Sequence, residues 1–134
     1  MQPLMARSLV QAIRKAGGAT FDARGQPVHS GDLWVYPLHP GHTLILDAGW
    51  NWETHLAEFT ARHGPLLEQG GPEWRAFGAW LHSSGQLYLD IVTGRPTQEE
   101  AIREALNAGN REGRRVLALY RASTGDTLTL PPDS

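Results

Sequence analysis

Apolar and polar positions follow two different periods along the chain, which predicts three helices among short strands. Apolar residues recur at helical spacing near the N-terminus, after Asn51 and after Thr97, whereas elsewhere they alternate or form short runs. The predicted helices cover residues 4–16, 51–63 and 97–109. The predicted strands cover residues 33–36, 43–46, 78–82, 87–92, 115–121 and 127–130, and a smaller hairpin is expected over residues 19–28.

Turn and cap residues mark the boundaries of these elements. Ser84-Gly85 suits a tight hairpin, and Ser123–Asp126 is expected to close a second one. Thr97 and Glu100 have the spacing of a capping box, in which each residue satisfies a free backbone donor at a helix start. Glycine-containing segments are expected to end the three helices: Gly17-Gly18, Gly64-Pro65 and the turn 110–113.

The order of elements indicates the fold class. The strand–helix–strand unit over residues 86–121 has room for a parallel crossover, because such a connection needs about a dozen residues. The hairpins at both ends of that unit favour an otherwise antiparallel sheet. We therefore predict one α+β domain over residues 1–134, in which about three helices pack on one face of a mainly antiparallel sheet of hairpins.

Composition narrows the class of protein. A hydrophobic fraction of 40% and a charged fraction of 19% are typical of a soluble globular protein. The chain has no Cys, which excludes disulfides and thiolate-ligated metal. No apolar run reaches the roughly 20 residues of a membrane span, and Met1–Met5 lacks the apolar core of a secretory signal. A cytoplasmic protein without a membrane partner is expected.

Charge is distributed unevenly and argues against a nucleic-acid partner. Residues 1–24 carry four bases and one acid, residues 25–92 two bases and seven acids, and residues 93–121 six bases and four acids. Nucleic-acid binding usually needs a strongly basic face, which an acidic middle does not provide. A nucleic-acid-binding accessory protein that uses the flanking Arg residues remains an alternative hypothesis.

Asp90 is the most distinctive polar residue, because it lies inside the apolar run Leu87–Val92. Strand alternation places Tyr88, Asp90 and Val92 on one face. If that face meets water, Asp90 is an ordinary exposed residue. If both faces are covered, the carboxylate needs a partner such as Arg95, Arg115 or Arg121. A catalytic or ligand-binding role is the third interpretation.

Two histidines form the other candidate for chemistry. His39 and His42 flank Pro40-Gly41, and Asp47 follows five residues later. Imidazole and carboxylate groups together can ligate a divalent metal. Because no second well-spaced pair completes the set, the sequence predicts no metal site and no cofactor. A small hydrolase that uses Asp90 or Asp47 with a loop histidine, with or without a metal, is an alternative.

The five Trp residues suggest either a filled core or a recognition surface. The spacings of a nucleophilic serine and of a phosphate-binding loop are missing. We therefore expect a non-enzymatic binding or accessory protein that contacts an unknown protein partner or itself, for example by pairing the edge strand Leu128–Leu130 as a homodimer. The candidate surface residues are Trp50, Trp52, Trp74, Trp80, Arg95, Arg114 and Arg115.

The C-terminal half carries a weak family resemblance. Trp80, Gly85, the run Leu87–Ile91, Asn110 and Thr124-Gly125 resemble the C-terminal part of small uncharacterised proteins of GC-rich bacteria and their phages. The chain departs from their pattern at residues 82–84, where those proteins tend to carry an acidic turn residue. The resemblance implies a bacterial origin and one compact domain, and it implies no particular activity.

Overall fold

The computed structural model describes residues 1–68 and 73–130. The helices are α1 (Pro3–Ala16), α2 (Trp52–Glu68) and α3 (Gln98–Glu112), with a short 3₁₀ turn at Pro40–His42. The strands are β1 (Gly18–Phe21), β2 (Trp34–Pro37), β3 (Leu44–Leu46), β4 (Ala76–Leu81), β5 (Leu87–Arg95), β6 (Ala118–Arg121) and β7 (Asp126–Thr129). The predicted α+β class, with helices and a mainly antiparallel sheet, is confirmed.

The sheet is built around β5, its longest strand. The strand order is β1-β4-β5-β2-β6-β7, and every pairing among these strands is antiparallel. β3 also pairs with β5, on the half that β2 leaves open. Because β5 and β6 both pair antiparallel with β2, they run in the same direction without bonding to each other. Helix α3 forms the crossover between them.

The helix starts and hairpin turns follow the local signals of the sequence. The Thr97 hydroxyl accepts a hydrogen bond from the Glu100 amide at 3.2 Å, and the Asn51 side chain accepts one from the Thr54 amide at 3.2 Å. Gly17 ends α1 in the left-handed region with φ 89°. Gly85 and Gly125 have positive φ in the two predicted hairpins. In the described ranges, none of the helices combines the length and apolarity that a membrane crossing demands.

Two of the predicted helix ends are wrong. Helix α2 continues through Gly64-Pro65 to Glu68, although proline removes a helical hydrogen bond. Leu66 and Leu67 pack on the core beyond that point, and the Leu66 carbonyl accepts a hydrogen bond from Arg75 at 2.8 Å. Tertiary contacts thus offset the local break. The sequence after Pro65 also predicts a short turn over residues 66–71; residues 66–68 belong to α2 instead, and residues 69–71 lie outside the described residues.

The end of α3 differs for a similar reason. The predicted turn 110–113 continues the helix to Glu112, and Gly113 caps it in the left-handed region with φ 68°. Ala108, near this end of α3, is buried. The Glu112 side chain accepts a hydrogen bond from the Gly41 amide at 2.9 Å, so the final turn is held against the 3₁₀ turn.

All three helices cover the same face of the sheet, as predicted. The main core packs α1 and α2 on alternate residues of β5, namely Leu87, Leu89 and Ile91. The next cluster packs α3 on Trp34 and Tyr36 of β2, and the register aligns these residues with the same face of β5. The opposite face of the sheet therefore carries no helix within the described residues.

Candidate functional site

The face without helices forms a groove, which we call the concave groove. Residues of β1 and of β7, the two ends of the sheet, line the same cavity, so the sheet must curl around it. The cavity measures about 1040 Å³, at the upper end of the roughly 300–1,000 Å³ of small-molecule sites. Its lining is mostly apolar, and Asp90 is its one acidic residue among those that the structure describes.

A polar row crosses the middle of the concave groove. The register aligns Thr20 of β1 with Gly78 of β4, and Gly78 with Asp90 of β5. Thr43, just before β3, donates a hydrogen bond from its hydroxyl to Asp90 Oδ1 and continues the row on the other side. Residues that face each other across paired strands point to the same face. The row therefore sets Asp90 between the Thr43 hydroxyl and the backbone of Gly78.

Apolar side chains flank this polar row. On one side, Trp80 pairs with Tyr88 and Tyr88 with Ile45, and the rings of Trp80 and Tyr88 lie 5.9 Å apart. On the other side, Val92 aligns with Pro37. A Cβ on Gly78 would approach Val92 Cγ1 to 2.9 Å, so the narrow space over Gly78, which we call the notch, is taken by Val92 and needs glycine. The groove can accept an elongated apolar body with one polar group near its middle.

The electrostatic state of Asp90 reflects its position in the groove wall. Burial raises the pKa of Asp90 to about 6, and the Thr43 hydrogen bond and the nearby Arg114 guanidinium act in the opposite direction. Arg114 donates a hydrogen bond from Nη1 to the Thr43 carbonyl at 3.1 Å. The carboxylate is therefore ionised at neutral pH and becomes neutral in mild acid.

The arginines named as possible partners of a buried Asp90 lie elsewhere. Arg95 lies 3.7 Å from Glu73, and Arg121 lies 4.0 Å from Asp32. Arg115 is exposed where it lines the groove. None of them forms an ion pair with Asp90 among the described residues. The alternative in which Asp90 pairs with Arg95, Arg115 or Arg121 is therefore not found among the described residues.

Asp47 and the loop histidines lie away from this row. Asp47 accepts a hydrogen bond from the Gln86 side chain at 3.0 Å, and its carbonyl accepts one from the Trp52 indole at 2.8 Å. His39 Nδ1 lies 2.8 Å from Glu112 Oε2. Neither Asp47 nor the pair His39 and His42 lines the concave groove. The structure does not bring the groups of the hydrolase hypothesis together.

His39 and His42 instead belong to a cluster between the 3₁₀ turn and α2. The ring centroids of His39 and His42 are 5.8 Å apart, and those of His42 and His63 are 4.9 Å apart. The pKa of His63 is lowered, and burial is the largest cause. The neighbouring His42, Arg62 and His39 lower this pKa further, in that order. Across the described part of the chain, no three His, Asp or Glu side chains are placed to hold a metal ion.

The candidate surface residues do not form one patch. Trp52 is buried beneath Arg14, whose guanidinium lies 4.1 Å from the ring, so Trp52 belongs to the core and not to a binding surface. Trp74 is half-buried against the cluster that contains Val92. Trp50 is exposed and lies next to His55. Three of the candidates share the concave groove: Trp80, Arg114 and Arg115.

Other residues of the groove were not predicted from the sequence. Alternation already places Tyr88 and Asp90 on one face, but nothing local indicates that Thr43 lies beside Asp90. Gly78 looks like an ordinary strand glycine until the register sets it opposite Asp90. The exposed Tyr120 lines the groove from β6. These residues meet through strand pairing, so spacing along the chain does not reveal them.

Comparison of this chain with protein-family models, with curated proteins and with solved structures finds no match.

Proposed function

We propose that the protein is a non-enzymatic binding protein and that the concave groove holds a mostly apolar organic ligand. One observation carries this proposal: all three helices lie on one face of a curled sheet, and the other face borders a cavity of about 1040 Å³. Ligand sites are typically concave and mainly apolar, with a few placed polar groups. The row through Asp90 supplies such groups.

The contacts of the polar residues favour binding over catalysis. Acid–base catalysis needs a base within hydrogen-bond reach of a second reacting group. The partner of Asp90 is the Thr43 hydroxyl, and that of His39 is Glu112. These pairs hold strands and helices together. Of the two pairs, only Thr43 with Asp90 lies in the groove, where it gives a ligand a fixed hydrogen-bonding position.

Binding of Nile red, a neutral apolar dye, tests the proposal. The wild-type protein is expected to bind the dye with increased fluorescence. Ala118→Trp adds a large side chain inside the groove, whereas Ala61→Trp makes the same change on the exposed surface of α2. The groove variant is expected to weaken dye binding about tenfold or more, and the surface variant is expected to bind as the wild type does.

Thermal melts show whether both variants are folded, and Thr127→Trp on the outer strand gives a second groove-filling change at an exposed position. Equal dye binding by the groove variants and the wild type would contradict the proposal. Failure of the wild-type protein to bind the dye would contradict it as well.

A protein partner or a second copy of the chain is the second candidate. Strand β7 is the last strand of the sheet, and Asp126, Thr127 and Thr129 are exposed on it. Such an edge can pair with another strand. Light scattering of the purified protein tests self-association: a dimer that Thr129→Lys dissociates supports edge pairing, and a monomer at all concentrations contradicts self-pairing.

A further inference from the structure

Asp90 forms no ion pair among the described residues, and the Arg114 guanidinium acts on it only from beyond ion-pair distance. Its Oδ1 accepts a hydrogen bond from Thr43, and no basic side chain among the described residues lies within ion-pair distance of the carboxylate. Buried charges in proteins are normally paired, because leaving one alone is costly. A ligand that fills the groove would displace water from this carboxylate and increase that cost unless it brought a positive charge.

Asp90 is reached from the cavity and not from the space over Gly78. Asp90 is half-buried and lines the groove, whereas the place opposite it, over Gly78 of β4, is taken by the Val92 side chain. Trp80 and Tyr88 form the next row along the strands, roughly 7 Å away by strand geometry. Aromatic faces attract organic cations, most strongly where water is excluded. A cation on the cavity side of Asp90 would therefore meet the carboxylate, with the rings of Trp80 and Tyr88 in the next row beside it.

Three basic residues also line the groove, and their positions decide whether they can neutralise Asp90. Arg114 donates a hydrogen bond from Nη1 to the Thr43 carbonyl at 3.1 Å and forms no ion pair with Asp90 among the described residues. Arg115 and His29 are exposed. The charge of Arg115 is closer to water than that of Asp90, and exposed charges are more strongly screened. Asp90 is the one acidic residue of the described lining, and Arg114, half-buried as Asp90 is, is engaged by the Thr43 carbonyl.

We propose that the ligand of the concave groove is an apolar amine, whose ammonium group pairs with Asp90 while its apolar body lies along Trp80 and Tyr88. This inference rests on the proposed function, since it names the class of ligand that the groove selects. An alcohol of the same length would use the groove without the ion pair. A carboxylate of the same length would be repelled by Asp90.

Three probes of equal chain length test the inference. Binding of n-decylammonium, n-decanol and decanoate is measured at pH 7.5 by displacement of Nile red, below the micelle concentration of each probe. The ammonium is expected to bind about tenfold more tightly than the alcohol, and the carboxylate more weakly than the alcohol. In Asp90→Asn the advantage of the ammonium over the alcohol is expected to disappear, because neither probe can then form an ion pair with this position.

A change of pH gives an independent readout in the wild-type protein. Because the pKa of Asp90 is about 6, the carboxylate is mostly neutral at pH 5, while the decylammonium probe keeps its charge. The preference for ammonium over alcohol is expected to shrink several-fold between pH 7.5 and pH 5. This arm holds even if Asp90→Asn does not fold.

The outcomes separate this inference from the proposed function. Equal affinity for the ammonium and the alcohol, or a preference that does not change with pH, would overturn the inference and leave the apolar groove standing. Tightest binding of decanoate would show that Arg114 or Arg115 selects the ligand, which also overturns it. If none of the probes and no Nile red binds, the proposed function itself fails.

Discussion

Thr43 and Asp90 are 47 positions apart in the chain and share a hydrogen bond in the wall of the concave groove. Thr43 directly follows the 3₁₀ turn Pro40–His42, which Glu112 of α3 holds through the Gly41 amide. The hydrogen bond between Thr43 and Asp90 thus links the wall of the groove to the packing between the 3₁₀ turn and α3. The stability of the protein and the charge of the groove are therefore expected to change together.

The ionised form of Asp90 is expected to reduce stability at neutral pH. Its pKa is about 6 in the folded protein and 3.8 in the reference state, so the folded state binds the proton more tightly. The stabilisation is present below pH 3.8 and is lost as the pH rises through 6. Asp90→Asn is thus expected to raise the free energy of unfolding by roughly 1–3 kcal/mol at pH 7.5.

Urea denaturation at several pH values measures this effect. The difference between Asp90→Asn and the wild type is expected to shrink steadily below pH 6. Asp126→Asn is a control, because Asp126 is exposed on the last strand of the sheet. A wild-type protein more stable than Asp90→Asn at pH 7.5 would show that the carboxylate is stabilised by a partner.

Loss of the Thr43 hydroxyl is expected to act through the same carboxylate. Thr43→Val keeps the shape of the side chain and removes the hydrogen bond to Asp90. We expect a loss of about 1–2 kcal/mol of stability at pH 7.5 and a further rise in the pKa of Asp90, because the hydrogen bond lowers it. NMR titration of the Asp90 carboxyl carbon measures the pKa directly.

Thr129→Val on the exposed edge strand is the matched control for the Thr43 variant and is expected to change stability by less than about 0.5 kcal/mol. An unchanged pKa of Asp90 in Thr43→Val would argue against the contact.

The notch at Gly78 is expected to tolerate no side chain. In Gly78→Ala the new Cβ would come within 2.9 Å of Val92 Cγ1, and the β-branched Val92 has little freedom to turn away. The expected loss is about 1–2 kcal/mol. Gly49→Ala is the control, because no atom lies within 4 Å of its Cβ position. Thermal denaturation compares the two, and equal effects would contradict the tight fit.

His63 is expected to make the protein less stable in acid. Burial and the neighbouring His42, Arg62 and His39 lower the pKa of His63, so the unfolded state takes up a proton more readily than the folded state. Stability from this group is present above the ordinary histidine pKa of 6.5 and is lost as the pH falls below it. His63→Phe is expected to lose less stability than the wild type between pH 7 and pH 5.

Phenylalanine keeps a ring against Phe59 and His42, so the His63 variant tests titration more than packing. His29→Phe, at an exposed position, is the control. If His63→Phe and the wild type lost equal stability between pH 7 and pH 5, His63 would contribute nothing to the pH dependence.

Local chemistry predicted much of the architecture. The cap at Thr97, the hairpin at Ser84-Gly85 and the end of α1 at Gly17 depend on residues within a few positions of each other. Alternation along β5 likewise placed Leu87 and Asp90 on opposite faces. The end of α2 was predicted wrongly, because Leu66 and Leu67 contribute packing energy that no local rule at Pro65 contains.

The sequence by itself determined the element types, the helix-covered face of the sheet and the position of Asp90 on the other face. Tertiary structure decided the rest: the curl that turns that face into a groove, the contact of Asp90 with Thr43, and the burial of Trp52. Helix caps, turns and alternation are set by neighbouring residues, whereas curvature and cross-strand contacts depend on how distant segments pair. The candidate site consists of such contacts, and so it became visible only in the folded chain.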